Sequence, residues 1–176
     1  DPGILDANQM LGGLLTERGE YDEALRYFAR ALEENPGHAP ALFGMARAYR
    51  DSGRTGEALV GFRRLLDLDP ADSKSVIAAA DLLVETGRPE EAMGLLRDAF
   101  AAGREVAPVL YNQLGELLVL QGRTAEAEEE FRRALEFNDE LAQPRFNLAV
   151  LAEQRGDLPT ARDLYEASIE RAPLHY

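Results

Sequence analysis

The sequence predicts an all-α fold, a right-handed superhelical solenoid built from antiparallel pairs of helices. Three periodic observations predict it. Glycines recur at intervals of 34, 34, 35 and 34 residues, at positions 19, 53, 87, 122 and 156. An alanine follows each glycine by five residues, and a large apolar or aromatic side chain follows each alanine by four. Self-similarity at such a period is typical of stacked helical repeats.

The first helix of each repeat carries a small residue at position 8, when the periodic glycine is counted as position 15. These small residues are Gly12, Ala46, Ala80, Gly115 and Ala149. Small residues at position 8 and at position 20 let the two antiparallel helices of a repeat approach closely. The larger residue at position 24 then fills the space beside that contact.

The ends of the helices follow from glycine and proline. Glycine at position 15 ends the first helix, because it accepts a left-handed backbone in which alanine would be strained. Proline at position 32 is predicted to end the second helix in repeats one, two and five, as Pro36, Pro70 and Pro173. Repeats three and four carry Arg104 and Asp139 there instead. The exit of repeat three therefore departs most from the pattern.

On these residues the chain resembles the tetratricopeptide repeat family over essentially its whole length. The five repeats run 5–38, 39–72, 73–106, 108–141 and 142–175, with Ala107 as one extra residue, and are predicted to form a single solenoid over 1–176. The resemblance implies ten helices. It also implies a concave groove, lined by successive first helices, that holds an extended or helical peptide.

Composition excludes several classes of partner. The chain has 19 basic and 32 acidic residues and a formal net charge of −13, so we expect it to repel phosphate and to bind no nucleic acid. No apolar run is long enough to span a bilayer, so no membrane insertion is predicted. Without cysteine there is neither a disulfide nor a thiolate metal site. All basic residues except Lys74 are arginine, which suggests a bacterial source.

The sequence contains no recognisable catalytic constellation. His38 lies at a repeat boundary and His175 near the end, and both are predicted to be exposed and unpartnered. Asp67, Asp69 and Asp72 resemble part of a calcium loop but lack its required glycine, so they are predicted to decorate a helix end and a turn. We therefore predict no enzyme, no cofactor and no metal.

A candidate binding face follows from helix geometry. At about 100° per residue, positions 4, 7, 8 and 11 of a first helix form the packed stripe, and positions 2, 5, 9, 12 and 13 face the other way. Apolar groups on that second face commonly mark a binding site. The alternative is that neighbouring repeats partly cover several of them, the valines above all. The predicted ligand-binding residues, including one at position 6, are Phe43, Arg47, Arg50, Ile77, Asp81, Asn112, Glu116, Phe146, Asn147 and Val150.

The leading functional prediction is a non-catalytic scaffold that binds a protein or peptide partner in this groove. Family members that bind chaperone tails use lysine and asparagine at positions 5, 6 and 9. This chain has Gln9, Gly13 and Gly44 at such positions, so a peptide with both apolar anchors and charge is the better candidate. Two alternatives remain open: a regulatory or substrate-recruiting arm of a larger enzyme, which residues outside this sequence would reveal, and a self-assembly module.

Self-association is predicted at the C-terminal helix. The second helix of repeat five, predicted from Pro159 to Ala172, has no polar helix after it to shield its packing stripe. Its side chains Leu164, Tyr165, Ser168 and Ile169 are therefore predicted to be partly exposed, and to be covered by further chain or by another molecule.

The start of the sequence gives two further expectations. Asp1 stands where an initiator methionine would, so we expect a piece of a longer chain. Ile4, Leu5 and Met10 are expected to be exposed on a smaller scale than the C-terminal helix, which allows head-to-tail contacts between copies. The predicted compartment is the cytoplasm, with the periplasm as the alternative.

Overall fold

The computed structural model of the chain describes residues 2–102 and 108–171. Within these ranges it contains ten α-helices, which confirms the predicted all-α class. They are α1 (Pro2–Glu17), α2 (Tyr21–Glu34), α3 (Ala39–Asp51), α4 (Thr55–Leu68), α5 (Ser73–Glu85), α6 (Pro89–Ala102), α7 (Pro108–Leu120), α8 (Thr124–Phe137), α9 (Ala142–Gln154) and α10 (Leu158–Arg171). None of these described helices combines the length and the hydrophobicity needed to cross a bilayer.

The helices fall into two compact units, α1 to α6 in unit 1 and α7 to α10 in unit 2. That all five repeats form one right-handed superhelical domain stays a prediction. The sequence features predicted at Arg104, Ala107, Pro173 and His175 lie outside the described residues.

The helices pack in the predicted pairs. Each odd-numbered helix packs against the even-numbered helix that follows it, and three residues join the two. A connection this short reverses the chain, so the helices of a pair run antiparallel. In unit 1, α2 also packs against α3 and α4 against α5, and in unit 2, α8 packs against α9. Within each unit, the second helix of a repeat thus packs against the first helix of the next repeat.

The periodic glycines have the predicted left-handed backbone. All five have positive φ, for example 79° at Gly53, whereas no other residue type does in the described chain. The amide of Gly53 donates to the carbonyl of Arg50 at 2.9 Å, and the amide of Arg54 donates to that of Tyr49 at 2.8 Å. This pair of hydrogen bonds is a Schellman motif, which satisfies two of the last carbonyls of α3. The same pair closes the first helix of every other repeat.

The residue after each glycine directly precedes the second helix. In repeats two to four it is an arginine whose side chain reaches a glutamate three residues later, as Arg88 Nε reaches Glu91 Oε1 at 2.6 Å. The hydrogen bond from Arg88 lowers the pKa of the Glu91 carboxyl. Both side chains are largely exposed, so the bridge fixes the geometry of the turn more than it stabilises the fold.

The end of the second helix differs from the prediction. Helix α2 ends before Asn35, whose Oδ1 accepts from the amide of Gly37, and α8 ends before Asn138, whose Oδ1 accepts from the amide of Glu140, both at 3.0 Å. A proline follows the first asparagine and an aspartate follows the second. The helix therefore ends at the same repeat position without proline. A turn closed by the asparagine side chain is sufficient, and proline is an addition to it.

In three of the five helix pairs the core contains a buried aromatic ring. Phe28, Phe62 and Phe131 are at most 1% exposed. A Cβ atom built on Gly12 would lie 2.7 Å from the Phe28 ring, and Gly115 faces Phe131 in the same way. The predicted close approach at position 8, filled by the residue at position 24, is confirmed in repeats one and four.

Two predictions concern polar residues at the joints. Asp72 caps α5, where its Oδ2 accepts from the amide of Ser75 at 3.2 Å, and Asp69 Oδ1 accepts from the amide of Ala71 at 3.0 Å. The predicted helix-end role of these aspartates is confirmed. The predicted exposure of His38 is wrong: it is half-buried and its Nδ1 is enclosed without a hydrogen-bond partner. As the residue before α3, it lies at the joint where α2 and α3 pack.

Candidate functional site

A groove with a volume of about 530 Å³ opens beside α1 and α3 in unit 1. We call it the unit-1 groove; Gln9, Gly13, Phe43, Gly44, Arg47 and Lys74 are among the residues that line it. Phe43 is half-buried and packs edge to face against Phe62, with 5.7 Å between the ring centroids. The Phe43 ring forms the aromatic floor of the groove. A Cβ atom on Gly13 would have no atom within 4 Å, so this glycine leaves the groove open.

The charges around the unit-1 groove are mixed. Arg47 Nε lies 3.7 Å from Asp51 Oδ2, and Arg50 Nη2 lies 2.9 Å from Asp51 Oδ1. The side chain of Arg47 is 42% exposed and keeps donors available to a ligand. Lys74 is exposed and forms no ion pair with any residue of the described ranges, while Glu17 and Asp72 add two negative charges to the lining.

The unit-1 groove brings together two of the five predicted residues in this unit. Phe43 and Arg47 line it, whereas Arg50, Ile77 and Asp81 do not. Arg50 and Ile77 are half-buried, and Asp81 is exposed on α5. The binding role of all five stays a prediction.

Several residues that line the unit-1 groove were not among the predicted ligand-binding residues. Five of them are Gln9, Gly13, Glu17, Pro40 and Lys74. All five occupy positions 2, 5, 9 or 13 of a first helix, on the face that helix geometry predicts for the groove.

A second cavity, of about 310 Å³, is bordered by α7, α8 and α9 in unit 2. We call it the unit-2 cavity; its lining includes Glu116, Val119, Leu120, Asn147, Val150 and Leu151. Three predicted residues, Glu116, Asn147 and Val150, are therefore brought together here.

A hydrogen-bond network joins α7 to α9 at the unit-2 cavity. Asn147 Nδ2 donates to Asn112 Oδ1 at 3.0 Å and to Glu116 Oε1 at 3.1 Å. Asn112 Nδ2 also donates to Glu116 Oε1, at 2.9 Å. Asn112 is only 6% exposed, so the structure places it as a support for the Glu116 carboxylate and not on an open surface.

The last predicted residue, Phe146, does not line the unit-2 cavity. It is 45% exposed, and its ring lies 5.5 Å from that of Tyr165. The Tyr165 hydroxyl donates to Glu153 Oε2 at 2.7 Å, and this hydrogen bond raises the pKa of Tyr165. Phe146 thus forms a separate aromatic contact between α9 and α10.

Solved structures with the same fold are numerous. A thermophilic TPR protein of Thermus thermophilus, TTC0263, is 30% identical with a TM-score of 0.70, over 97% of this chain and 92% of that one. PilF of Pseudomonas aeruginosa is 22% identical with a TM-score of 0.79, over 99% of this chain and 79% of that one. YrrB, described as a TPR protein with an unusual peptide-binding site, is 22% identical with a TM-score of 0.63, over 96% and 86%.

Family models agree with these structures. Two models of the tetratricopeptide repeat match the chain, one over residues 15–60 and 50–114 and the other over residues 106–173. Among curated proteins, none matches this sequence. The matched ranges cover most of the sequence, and all five periodic glycines lie within them. The chain therefore belongs to the tetratricopeptide repeat family.

Proposed function

We propose that this chain is a non-catalytic protein-interaction scaffold, and that the unit-1 groove binds a peptide segment of another protein. The observation that carries the proposal is the groove itself, which combines an aromatic floor at Phe43 with charged groups at Arg47 and Lys74. A concave apolar surface with a few placed polar groups is the usual form of a binding site. YrrB supports the proposal through its fold alone.

The lining of the unit-1 groove indicates the chemistry of its peptide. An aliphatic or aromatic side chain fits against Phe43, and a carboxylate of the same peptide binds Arg47 or Lys74. Glu17 lies in the same lining and disfavours a peptide with several adjacent acids. The expected ligand therefore has an apolar anchor with one acidic residue near it.

Selection from a displayed random-peptide library on the immobilised protein tests this proposal. Enriched peptides that contain an acidic residue should bind Arg47→Glu roughly tenfold more weakly than wild type, because two carboxylates then face each other. The matched control is Arg26→Glu, an equal charge change at an exposed site on α2 outside the groove, which should leave the affinities unchanged. Fluorescence titration with the soluble peptides measures the affinity of each variant.

Two results would count against the proposal. Enrichment of no sequence above that on the bare support would overturn the scaffold function. Peptides that bind the Arg47→Glu and wild-type proteins equally would show that the unit-1 groove is not the site. The melting temperature should stay close to that of wild type in both variants, since Arg26 and Arg47 lie outside the core and the ion pair of Arg47 with Asp51 is solvent-exposed.

A second candidate function is self-association through the outer helices of the repeats. Leu14 of α1 is 57% exposed, whereas Leu82 and Leu151, at the same repeat position in α5 and α9, are at most 2% exposed. In those repeats the preceding second helix packs against this first helix. The corresponding face of α1, which includes Leu14, is exposed and apolar, and a second helix could pack on it.

The outer face of α10 is complementary to that of α1. Ile169 is 74% exposed, whereas Leu32 and Leu66 at the same repeat position are half-buried. Leu164 and Tyr165 are half-buried. The predicted exposure of Ser168 is wrong, because it faces α9, is 7% exposed and donates to the carbonyl of Ala142 at 3.1 Å. A further helix of a longer chain could cover α1, and α10 of a second copy fits the same face in a head-to-tail joint like the contact between α8 and α9.

Sedimentation velocity over a range of concentrations tests the head-to-tail joint. Wild type should form a series of oligomers, and Ile169→Glu and Leu14→Glu should each be monomeric, because each buries a charge in the joint. A mixture of the two variants should stop at a dimer, since each keeps one intact end. The control Val60→Glu, at an exposed site on α4, should associate like wild type. A wild type that stays monomeric at every concentration contradicts this function.

A further inference from the structure

We infer that the unit-2 cavity binds a cationic amphipathic peptide segment, with a lysine or arginine on Glu116 and an aliphatic side chain against Val119, Leu120 and Val150. The inference rests on the proposed peptide-binding function and assigns a ligand chemistry to a second place on the chain. The same cavity contains both the carboxylate and the apolar walls, so one short segment can reach both.

The Glu116 carboxylate is held in place but has no cationic partner. Its Oε1 accepts hydrogen bonds from two side-chain amides, those of Asn112 and Asn147. Neither amide carries a charge, and Glu116 forms no ion pair with any arginine, lysine or histidine among residues 2–102 and 108–171. A half-buried, oriented carboxylate of this kind gains most from a charged donor supplied by a ligand.

The neighbouring arginines are engaged elsewhere. Arg145 of α9 donates to the carbonyl of Leu141 at 3.1 Å, and Arg155 forms an ion pair with Glu128 of α8. Helix α7 contains no basic residue. The charge presented at the unit-2 cavity is therefore negative, which attracts a cation and repels an acidic peptide.

The apolar half of the site is open to a ligand. Leu120 is 69% exposed, and Val119 and Val150 are half-buried. A volume of about 310 Å³ is at the low end of small-molecule pockets, so it suits one or two side chains of a peptide better than a whole cofactor. The expected segment has a leucine, isoleucine or methionine near a lysine or arginine.

The two sites of the chain differ in charge, because the unit-1 groove offers both basic and acidic groups whereas the unit-2 cavity offers an acidic group alone. The unit-1 groove contains Arg47 and Lys74, and the unit-2 cavity contains Glu116 without a basic residue in its lining. Peptides enriched on the whole protein should consequently fall into two classes. The acidic class should be sensitive to Arg47, and the basic class to Glu116.

The test uses peptides enriched from the displayed random library on the whole chain. Peptides of the basic class should bind Glu116→Gln roughly five- to tenfold more weakly, and selection on Glu116→Arg should enrich acidic in place of basic peptides. Glu116→Gln keeps an acceptor for the asparagine amides and should leave the melting temperature close to that of wild type. The control Glu129→Gln removes one negative charge from an exposed site on α8. It should change neither the affinity of the basic peptides nor the melting temperature.

A second pair of variants tests the apolar half. Leu120→Ser should weaken the basic class by roughly fivefold, because an exposed apolar contact of one side chain is lost. Leu158→Ser, at a similarly exposed leucine on α10 outside the cavity, should have no effect.

The outcomes separate this inference from the function on which it rests. If peptides are enriched but none is sensitive to Glu116, or the sensitive ones lack a basic residue, the inference is overturned and the scaffold function stands. If no peptide is enriched at all, both fail. Binding of the basic class that is lost in Glu116→Gln, kept in Glu129→Gln and weakened by added salt supports the inference.

Discussion

Replacing Phe131 by alanine should lower the free energy of unfolding by about 3–5 kcal/mol, the largest effect we expect from a single substitution. The Phe131 side chain is 1% exposed and its ring packs against Gly115, which has no side chain to fill the space that the ring would leave. Urea titration followed by circular dichroism measures the loss.

The control for this substitution lies on the same helix. Glu129 is 70% exposed, with its nearest arginine nitrogen 4.0 Å away, so Glu129→Ala should change the free energy of unfolding by less than about 0.5 kcal/mol. Similar losses from Phe131→Ala and Glu129→Ala would show that the assigned repeat register is wrong.

The second large effect is expected at Gly12. A Cβ atom there would lie 2.7–2.9 Å from three carbon atoms of the Phe28 ring, which is fully buried and cannot turn aside. We expect Gly12→Ala to lower the free energy of unfolding by about 1–3 kcal/mol through overpacking, although alanine is the better helix former.

The next residue provides a matched control of opposite sign. A Cβ atom on Gly13 would have nothing within 4 Å, so Gly13→Ala should raise the free energy of unfolding by roughly 0.5–1 kcal/mol. Denaturant titrations of the two variants check the pair. If both substitutions changed the free energy of unfolding in the same direction, the packing of α1 on α2 would be contradicted.

Much of the fold follows from the sequence because each feature occurs five times. The left-handed glycine turns, the small residues at position 8 and the large residues at position 24 are set by steric rules that act on neighbouring helices. A rule that depends only on size and backbone angle can be recognised from spacing. That is why the roles of Gly53 and Gly115 agree between sequence and structure.

The candidate site was less predictable because it depends on contacts between distant residues. Asn147 reaches Asn112 across 35 positions, and only the packing of α9 against α7 reveals that Asn112 is buried beneath Glu116. Helix geometry predicts the face on which these residues lie. It does not predict which of their side chains form hydrogen bonds with each other. The end of α8 was not predictable from proline spacing, because the side chain of Asn138 closes that turn without a proline.

The packing of each helix on its immediate neighbours has a kinetic consequence. Within each unit the principal contacts join helices that are adjacent, or next but one, in the chain. Few long loops must close before native contacts form, so the entropy lost in the transition state is small and folding should be fast for the size of the chain. Folding can then begin at any helix pair and spread along the unit, and amide protection should be weakest at its outermost helices.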